Sequence, residues 1–234
     1  MYSSACGGAR VIRESHDSQV NWVQYRQMKA EGTGGPATVK RRMGPAGSPS
    51  WHMLLDAAEI ILREEGYAAL TSRTIASQAG VNQQLVYYYF LSMEELIVAL
   101  FRRATEREME RLEAAAKSDH PLHAIWQVRS KKADLRSMPE FAALANRIPD
   151  LRAEVIAFRK QVRQLQVAAL NKSLGGQEAP TLELSAPALV ALLDYAALYI
   201  NRDAELDVVE GQRELIAAFE GFLGEIEAEP AKET

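Results

Sequence analysis

Residues 79–93 contain amide and phenol side chains but not one charged group. The members suited to contacting a nucleic acid are, in order, Gln83, Gln84, Tyr87, Tyr88 and Tyr89. A glutamine amide can pair with the N6 and N7 atoms of adenine, and a phenol hydroxyl can donate to a phosphate. Because base edges offer neutral donors and acceptors, a helix without charges is chemically suited to contacting them.

Three copies of one six-residue pattern predict three helix starts around this stretch. The pattern is an apolar residue, a Thr, Asn or Ser cap, three further residues and a second apolar residue. It occurs at 70–75, 81–86 and 91–96. Such an apolar pair is the hydrophobic staple, which fixes the angle at which a chain enters a helix. With Gly80 permitting a tight turn, we predict a helix-turn-helix with helices at about 72–79 and 83–90.

The predicted helix-turn-helix leaves the two glutamines and three tyrosines facing outward. Its shared core is predicted from helical spacing to contain Ile75, Ala76, Ala79, Val81, Val86 and Phe90. The outward side chains can then enter a major groove. The alternative is a helical corner with a tyrosine-rich surface, because spacing alone does not establish the angle between two helices.

The segment LTSRTIASQAGVNQQLVYYYFLSMEEL, residues 70–96, resembles the DNA-binding signature of the TetR family of bacterial transcription regulators. The matched block runs from Leu54 to Leu100. The residues that carry the resemblance are Thr71, Ile75-Ala76, Ala79-Gly80-Val81, Tyr87, Tyr89-Phe90 and Glu95-Leu96. It implies an all-α cytoplasmic homodimer that binds a double-stranded DNA operator and is released by a small molecule. The alternative is a constitutive or partner-regulated DNA-binding protein, or an activator, without such an effector.

The resemblance also implies which residues contact DNA. The base-contacting positions correspond to Arg73, Gln83, Gln84, Leu85 and Tyr88. The positions that hold the phosphate backbone correspond to Ser72, Tyr87 and Tyr89.

Two features depart from the family's usual pattern. Met93 stands where the family usually has a lysine that clamps a phosphate. Gln84 and Leu85 are bulkier than the usual small residues, which implies an unusual operator. The basic triplet Lys40, Arg41 and Arg42 is expected to compensate by reaching the DNA backbone or the minor groove. A solvated linker is the alternative for that triplet.

Composition divides the chain into segments. Half of residues 31–50 are Gly, Pro or Ser, which is typical of a flexible boundary. We predict an N-terminal extension with a basic arm at 1–47 and a helix-turn-helix domain at 48–96. A helical ligand-binding and dimerisation domain is expected at 97–228, followed by a tail at 229–234. A start at Met43 is the alternative for the extension.

The resemblance implies two further sites in the second domain. Helices at about 185–202 and 208–227 would pair with their copies through Leu189, Leu193, Ile200, Leu215, Phe219, Phe222 and Ile226. Packing within one chain is the alternative. A pocket for an apolar or amphipathic effector would be lined by His123, Trp126, Phe141, Asn146, Phe158, Tyr195 and Tyr199, each of which ordinary core packing also explains. Arg129 and Arg147 are candidates for holding an anionic ligand, or are simply exposed.

Several function classes find no support in the sequence. It contains no GxGxxG, GxxxxGK[ST] or GxSxG motif, so we expect no catalysis and no cofactor. His120 and His123 have no ligand partner nearby in the sequence, so no metal site is predicted. The single cysteine, Cys6, excludes an intrachain disulfide. The net charge of −4 does not itself indicate a nucleic-acid binder, so the prediction depends on the motifs.

Overall fold

The computed structural model describes residues 44–130, 138–175 and 184–228. These parts form nine α-helices and one short 3-10 turn at Tyr67–Ala69, and contain no strand. The helices are α1 (Pro49–Glu64), α2 (Ser72–Gln78), α3 (Gln83–Tyr89), α4 (Met93–Ala116), α5 (Pro121–Ser130), α6 (Met138–Leu144), α7 (Pro149–Leu174), α8 (Ala186–Glu205) and α9 (Gln212–Glu227). The predicted all-α fold is confirmed. The basic arm and the tail at 229–234 lie outside the described residues.

Local hydrogen bonds start the helices of the helix-turn-helix. Thr71 Oγ1 accepts from the Thr74 N–H at 3.1 Å, and Thr74 Oγ1 accepts from the Thr71 N–H at 3.0 Å. Asn82 Oδ1 accepts from the Gln84 N–H at 2.9 Å at the start of α3. Gly80, with φ of +66°, makes the turn between α2 and α3 in a conformation that other residues rarely adopt. The predicted starts of both helices are therefore found at residues 72 and 83.

Helix α4 connects the helix-turn-helix to the rest of the chain. The predicted domain boundary between residues 96 and 97 falls inside this 24-residue helix. At its N-terminal end, Leu96, Leu100 and other apolar residues pack into the core shared with α1. Further along, the Phe101 ring lies edge-on to the rings of Phe141 and Phe158 at 5.2 and 6.1 Å. A single helix therefore contributes to the packing of both regions.

Two neighbouring arginines on α4 link it to two other helices. Arg102 Nε donates to Glu154 Oε1 on α7 at 3.0 Å. Buried Arg103 donates through Nη1 to Asp56 Oδ1 on α1 at 2.6 Å, and through Nη2 to Glu59. Because Glu154 and the Arg103 guanidinium are both buried, these pairs are less screened by solvent than surface ion pairs. They fix α4 to α1 and to α7.

The last helix begins later than predicted. Helix α9 starts at Gln212 after Gly211, which has a φ of +74°. Asp207 also has a positive φ, of 57°, and residues 206–211 form a turn between α8 and α9.

No single described helix is long and apolar enough to span a membrane. Helices α3 and α4, which are bent by 71° at their junction, reach the length and apolar composition of a membrane span only when they are taken together.

Candidate nucleic-acid interface

The outer face of α3 carries most of the residues predicted to contact DNA. Gln83, Gln84, Tyr87 and Tyr88 are exposed on this helix, and Arg73 is exposed on α2. Leu85 is partly buried and packs against the core. The exposed side chains present amide, phenol and guanidinium groups, which can bond to base edges and phosphates.

Tyr89 does not share the outward position predicted for it. Its side chain is only 8 % exposed, and its ring lies 5.1 Å from the ring of Tyr88 in an edge-on arrangement. Tyr89 follows the buried Val86 by three residues on the same helix. Residues three apart lie on one helical face, so Tyr89 faces the core. The Tyr89 ring therefore belongs to the core and does not face outward, which corrects its predicted position.

A hydrogen-bond network fixes two side chains of the interface. The buried Ser72 Oγ lies 2.9 Å from the Tyr87 hydroxyl and accepts from Gln83 Nε2 at 2.8 Å. Ser72 thus orients Tyr87 and Gln83, instead of presenting a free hydroxyl to DNA. Bidentate pairing with adenine uses the amide oxygen and one amide N–H, so Gln83 can pair in this way and still donate its other N–H to Ser72. Among the described residues, no side-chain hydrogen bond of this kind holds Gln84.

The block that forms this interface matches a known family. Residues 54–100 match the family model described as bacterial regulatory proteins, tetR family. The chain therefore carries the DNA-binding segment of the TetR family. Solved structures share the fold of this chain, and two of them serve as examples. A TetR transcription regulator from Haloarcula marismortui has a TM-score of 0.61 and 20% identity, and the match covers 75% of this chain and 97% of that chain. A transcriptional regulator from Saccharomonospora viridis in complex with choline has a TM-score of 0.60 and 16% identity, with 72% and 93% covered.

A curated relative is similar over part of its length. This chain is 27% identical to the fatty acid metabolism regulator protein of Bacillus subtilis (strain 168) over 124 residues. These residues are 53% of this chain and 63% of that relative, so the match spans less than two thirds of the relative's length.

The described part of the chain begins beside α3. The Gly44 N–H donates to the Tyr88 carbonyl at 3.1 Å. A Cβ atom at Gly44 would lie 2.2 Å from Tyr89 Cε1, so only glycine permits this approach. In the sequence, the basic triplet Lys40, Arg41 and Arg42 ends two residues before Gly44. Met93 is partly buried and packs against the core, where the family's lysine would present a charge.

The seven residues predicted to line an effector pocket do not meet in one place. Trp126, Phe141 and Phe158 are buried, whereas Asn146 is exposed. Tyr195 and Tyr199 are 59% and 64% exposed. Spacing of four residues puts these two tyrosines on one outer face of α8, so they cannot line an internal pocket. Of the seven, Trp126 borders a small cavity between α5, α7 and α8.

His123 instead takes part in a contact between α5 and α9. Buried Glu227, at the end of α9, accepts from the Leu122 N–H at 2.6 Å and lies 2.9 Å from His123 Nδ1. His120 Nδ1 is 3.9 Å from the same carboxylate. The sequence did not reveal this partner because it lies 104 residues from His123. Within the described ranges, no three His, Cys, Asp or Glu side chains form a group that could hold a metal.

Arg129 is already engaged by carboxylates. Its Nε donates to Asp194 Oδ1 on α8 at 3.2 Å, and its Nη1 donates to Glu108 Oε1 on α4 at 3.4 Å. This arrangement satisfies the guanidinium within the protein. The prediction that Arg129 holds an anionic ligand is therefore not supported by its surroundings, and Arg147 is exposed.

The apolar face of α8 available to a partner is not the predicted one. Leu189, Leu193 and Ile200 are buried within their own chain, as is Ile226 on α9. Phe219 and Phe222 are partly buried, and Leu215 is exposed. The large apolar side chains that α8 leaves exposed are Leu192, Tyr195, Leu198 and Tyr199. Helix α8 has apolar residues on two faces, and the helices of its own chain cover the first. This corrects the predicted interface residues on α8.

Proposed function

We propose that this chain is a repressor that binds a DNA operator as a homodimer and is released by a small molecule. The exposed, uncharged face of α3 is the observation that carries the proposal. Gln84 and Tyr88 stand on that face with neutral groups suited to base edges. Ser72 supports Gln83 and Tyr87 beside them through hydrogen bonds of 2.8 and 2.9 Å. Such preorganisation lowers the entropy lost on binding.

The exposed apolar face of α8 supports the dimer. Leu192, Tyr195, Leu198 and Tyr199 form this face, to which we refer as the α8 face. A contiguous apolar surface of this kind marks a protein–protein contact. Helix-turn-helix proteins bind two DNA half-sites whose centres are about 34–36 Å apart. Two copies of the chain related by a twofold axis can bind both half-sites at once. Leu215, Phe219 and Phe222 on α9 are added to the interface in this proposal.

Contacts along α4 offer a route from an effector to DNA. Glu108 on this helix pairs with Arg129 on α5, whereas Arg103 pairs with Asp56 and Glu59 on α1. A ligand that displaces α5 thereby acts on the helix that carries α1. The Saccharomonospora structure was determined in complex with choline, so a protein of this fold accommodates a small molecule.

One observation favours a function without an effector. The cavity beside Trp126 has a volume of about 20 Å³, which is room for roughly one water molecule. A cavity of this size also suits a constitutive DNA-binding protein, or one that responds to a protein partner. The two functions differ in whether any small molecule changes DNA affinity.

Fluorescence anisotropy with DNA flanking the protein's own gene tests the proposed function. We expect tight binding to one duplex, weak binding to a scrambled duplex, and release by a member of a metabolite panel. Specific binding that no metabolite alters would favour the effector-free alternative. Equal binding to operator and scrambled DNA would contradict the reading role of α3.

The exposed amides of α3 are expected to determine sequence preference. Gln84→Ala and Gln83→Ala should each weaken operator binding by about 1–3 kcal/mol and hardly affect scrambled DNA, because each removes a base contact. Tyr87→Phe is the matched control, because it removes a hydroxyl that contacts the backbone and should weaken both duplexes alike. Anisotropy titrations of both duplexes measure these changes. Equal weakening of the two duplexes by Gln84→Ala would show that Gln84 is no base reader.

A further inference from the structure

Two buried polar atoms beside the cavity between α5, α7 and α8 have no hydrogen-bond partner. They are Trp126 Nε1, a donor, and Gln166 Oε1, an acceptor. Their side chains are 3% and 4% exposed, and both residues line the cavity. Burying a polar atom without a partner costs free energy, so native proteins rarely leave one in place without a reason. Two such atoms at one cavity could both bond to a molecule that enters it.

The charged groups at this cavity are already balanced. Asp194 Oδ1 accepts from Arg129 Nε at 3.2 Å and from Gln166 Nε2 at 2.7 Å. Arg129 also donates to Glu108 at 3.4 Å. An anionic ligand would meet the Asp194 carboxylate, and a cationic ligand would meet the Arg129 guanidinium. The groups left to a ligand are one neutral donor and one neutral acceptor.

The rest of the cavity wall is aliphatic. Leu122 and Ile125 on α5 line it together with Val190 and Leu193 on α8. A ligand that fits therefore combines an apolar body with one neutral group that both accepts and donates hydrogen bonds. A carboxamide or lactam has this character, because its carbonyl accepts and its N–H donates.

We propose that this cavity is the effector site and that it binds a small neutral carboxamide or lactam with an aliphatic body. The ligand carbonyl accepts from Trp126 Nε1, and the ligand N–H donates to Gln166 Oε1. The inference rests on the proposed function in treating the occupant as the effector. It narrows the apolar or amphipathic effector predicted from the sequence to an amphipathic, uncharged class.

Occupancy of this site requires the cavity to open. Its volume of about 20 Å³ is far below that of such a ligand. The Phe219 ring of α9 lies 5.2 Å from the Trp126 ring, and Arg129 on α5 is bonded to Glu108 on α4. Separating α5 from α8 therefore strains the contact with α4 that leads to the DNA reader. This displacement of α5 couples binding of the ligand to release of the DNA.

Four matched probes test the site on the full-length protein. They are cyclohexanecarboxamide, cyclohexanecarboxylate, cyclohexylmethylamine and methylcyclohexane, which share a ring and differ in the polar group. The Trp126 indole signal in ¹H–¹⁵N spectra, assigned with Trp126→Phe, reports occupancy. We expect the carboxamide to shift this signal saturably and to bind at least about tenfold more tightly than the other three, as the value of a well-placed hydrogen bond implies.

Variants of the two polar residues provide the controls. Trp126→Phe keeps an aromatic ring but removes the N–H, and should weaken carboxamide binding about tenfold by calorimetry. Gln166→Met, which removes the amide oxygen, should do the same. Trp51→Phe, in α1, should leave binding unchanged. If neither cavity variant folds, the ranking of the four probes on the wild-type protein decides the question.

The opposing results are distinct. The proposal fails if no probe at millimolar concentration moves the Trp126 signal, because the cavity then holds only water. It also fails if methylcyclohexane or either ion binds as well as the carboxamide. Carboxamide binding that leaves operator affinity unchanged would support the site and contradict the proposed ligand response. Operator release by a metabolite that leaves Trp126 unmoved would support the response and contradict this site.

Discussion

Leu192→Arg is expected to convert the protein to monomers and to abolish tight operator binding. Leu192 is exposed on α8 beside Tyr195 and Tyr199, at the α8 face. Two copies of a guanidinium facing each other across a buried apolar contact would be costly to desolvate. In a dimer, the second helix-turn-helix is held near its half-site at a high effective concentration. Its loss should therefore lower operator affinity about 10²–10⁴-fold. Light scattering and anisotropy measure the two effects.

The matched control for this prediction is Ile156→Arg. Ile156 is an exposed apolar residue on a different helix, α7. We expect this variant to remain dimeric and to bind the operator as the wild type does. Leu192→Arg protein that stays dimeric at micromolar concentration would exclude the α8 face as the interface. A monomeric wild-type chain under the same conditions would exclude the dimer itself.

Deletion of residues 1–42 is expected to flatten the salt dependence of DNA affinity by roughly two to six units per dimer, because each phosphate contact contributes about −0.9 to the slope. The residues responsible are Lys40, Arg41 and Arg42, which precede Gly44 beside α3. Arg73 is the sole basic residue of α2 and α3, so these two helices offer few positive charges to the phosphates. Operator preference should persist because the deletion leaves the α3 face intact.

Two further variants separate charge from chain length. Alanine at positions 40, 41 and 42 of the full-length chain should reproduce the effect of the deletion. Met93→Lys should steepen the slope by about two units per dimer and tighten binding to every duplex, because it restores one phosphate contact per subunit. Anisotropy across a salt series, with operator and scrambled DNA, gives the slopes. An unchanged slope after the deletion would make the arm a solvated linker.

The starts of α2, α3 and α4 could be predicted from sequence because the interactions that form them are local. Thr71, Asn82 and Ser92 each accept from a backbone N–H two or three residues ahead. Such bonds depend on residue order alone, and each staple adds an apolar pair five residues apart. The helix-turn-helix and the glutamines on its outer face follow from these signals, since both helices are short and joined by a glycine turn.

Tertiary packing decided which surface each longer helix buries. Helix α8 carries apolar residues on two faces, and its periodicity does not say which face the helices of the same chain cover. Helices α5 and α7 pack against α8, and Leu189 and Leu193 are buried on the covered face. Tyr89 was misplaced for a similar reason, because a run of three tyrosines does not reveal which ring lies at the buried position. Burial is a property of neighbours that lie far away in the sequence.

The polar contacts inside the body also depended on tertiary structure. Glu227 meets His123 across 104 residues, and Asn201 Nδ2 donates to the Arg129 carbonyl across 72. Trp126 and Gln166 line one cavity although they are 40 positions apart in the sequence. Sequence determined that both side chains are able to bond, because an indole always donates and an amide oxygen always accepts. Only the packing of α5 against α7 and α8 left the indole N–H and the Gln166 amide oxygen without a partner, because a hydrogen bond needs its two atoms within about 3 Å of each other.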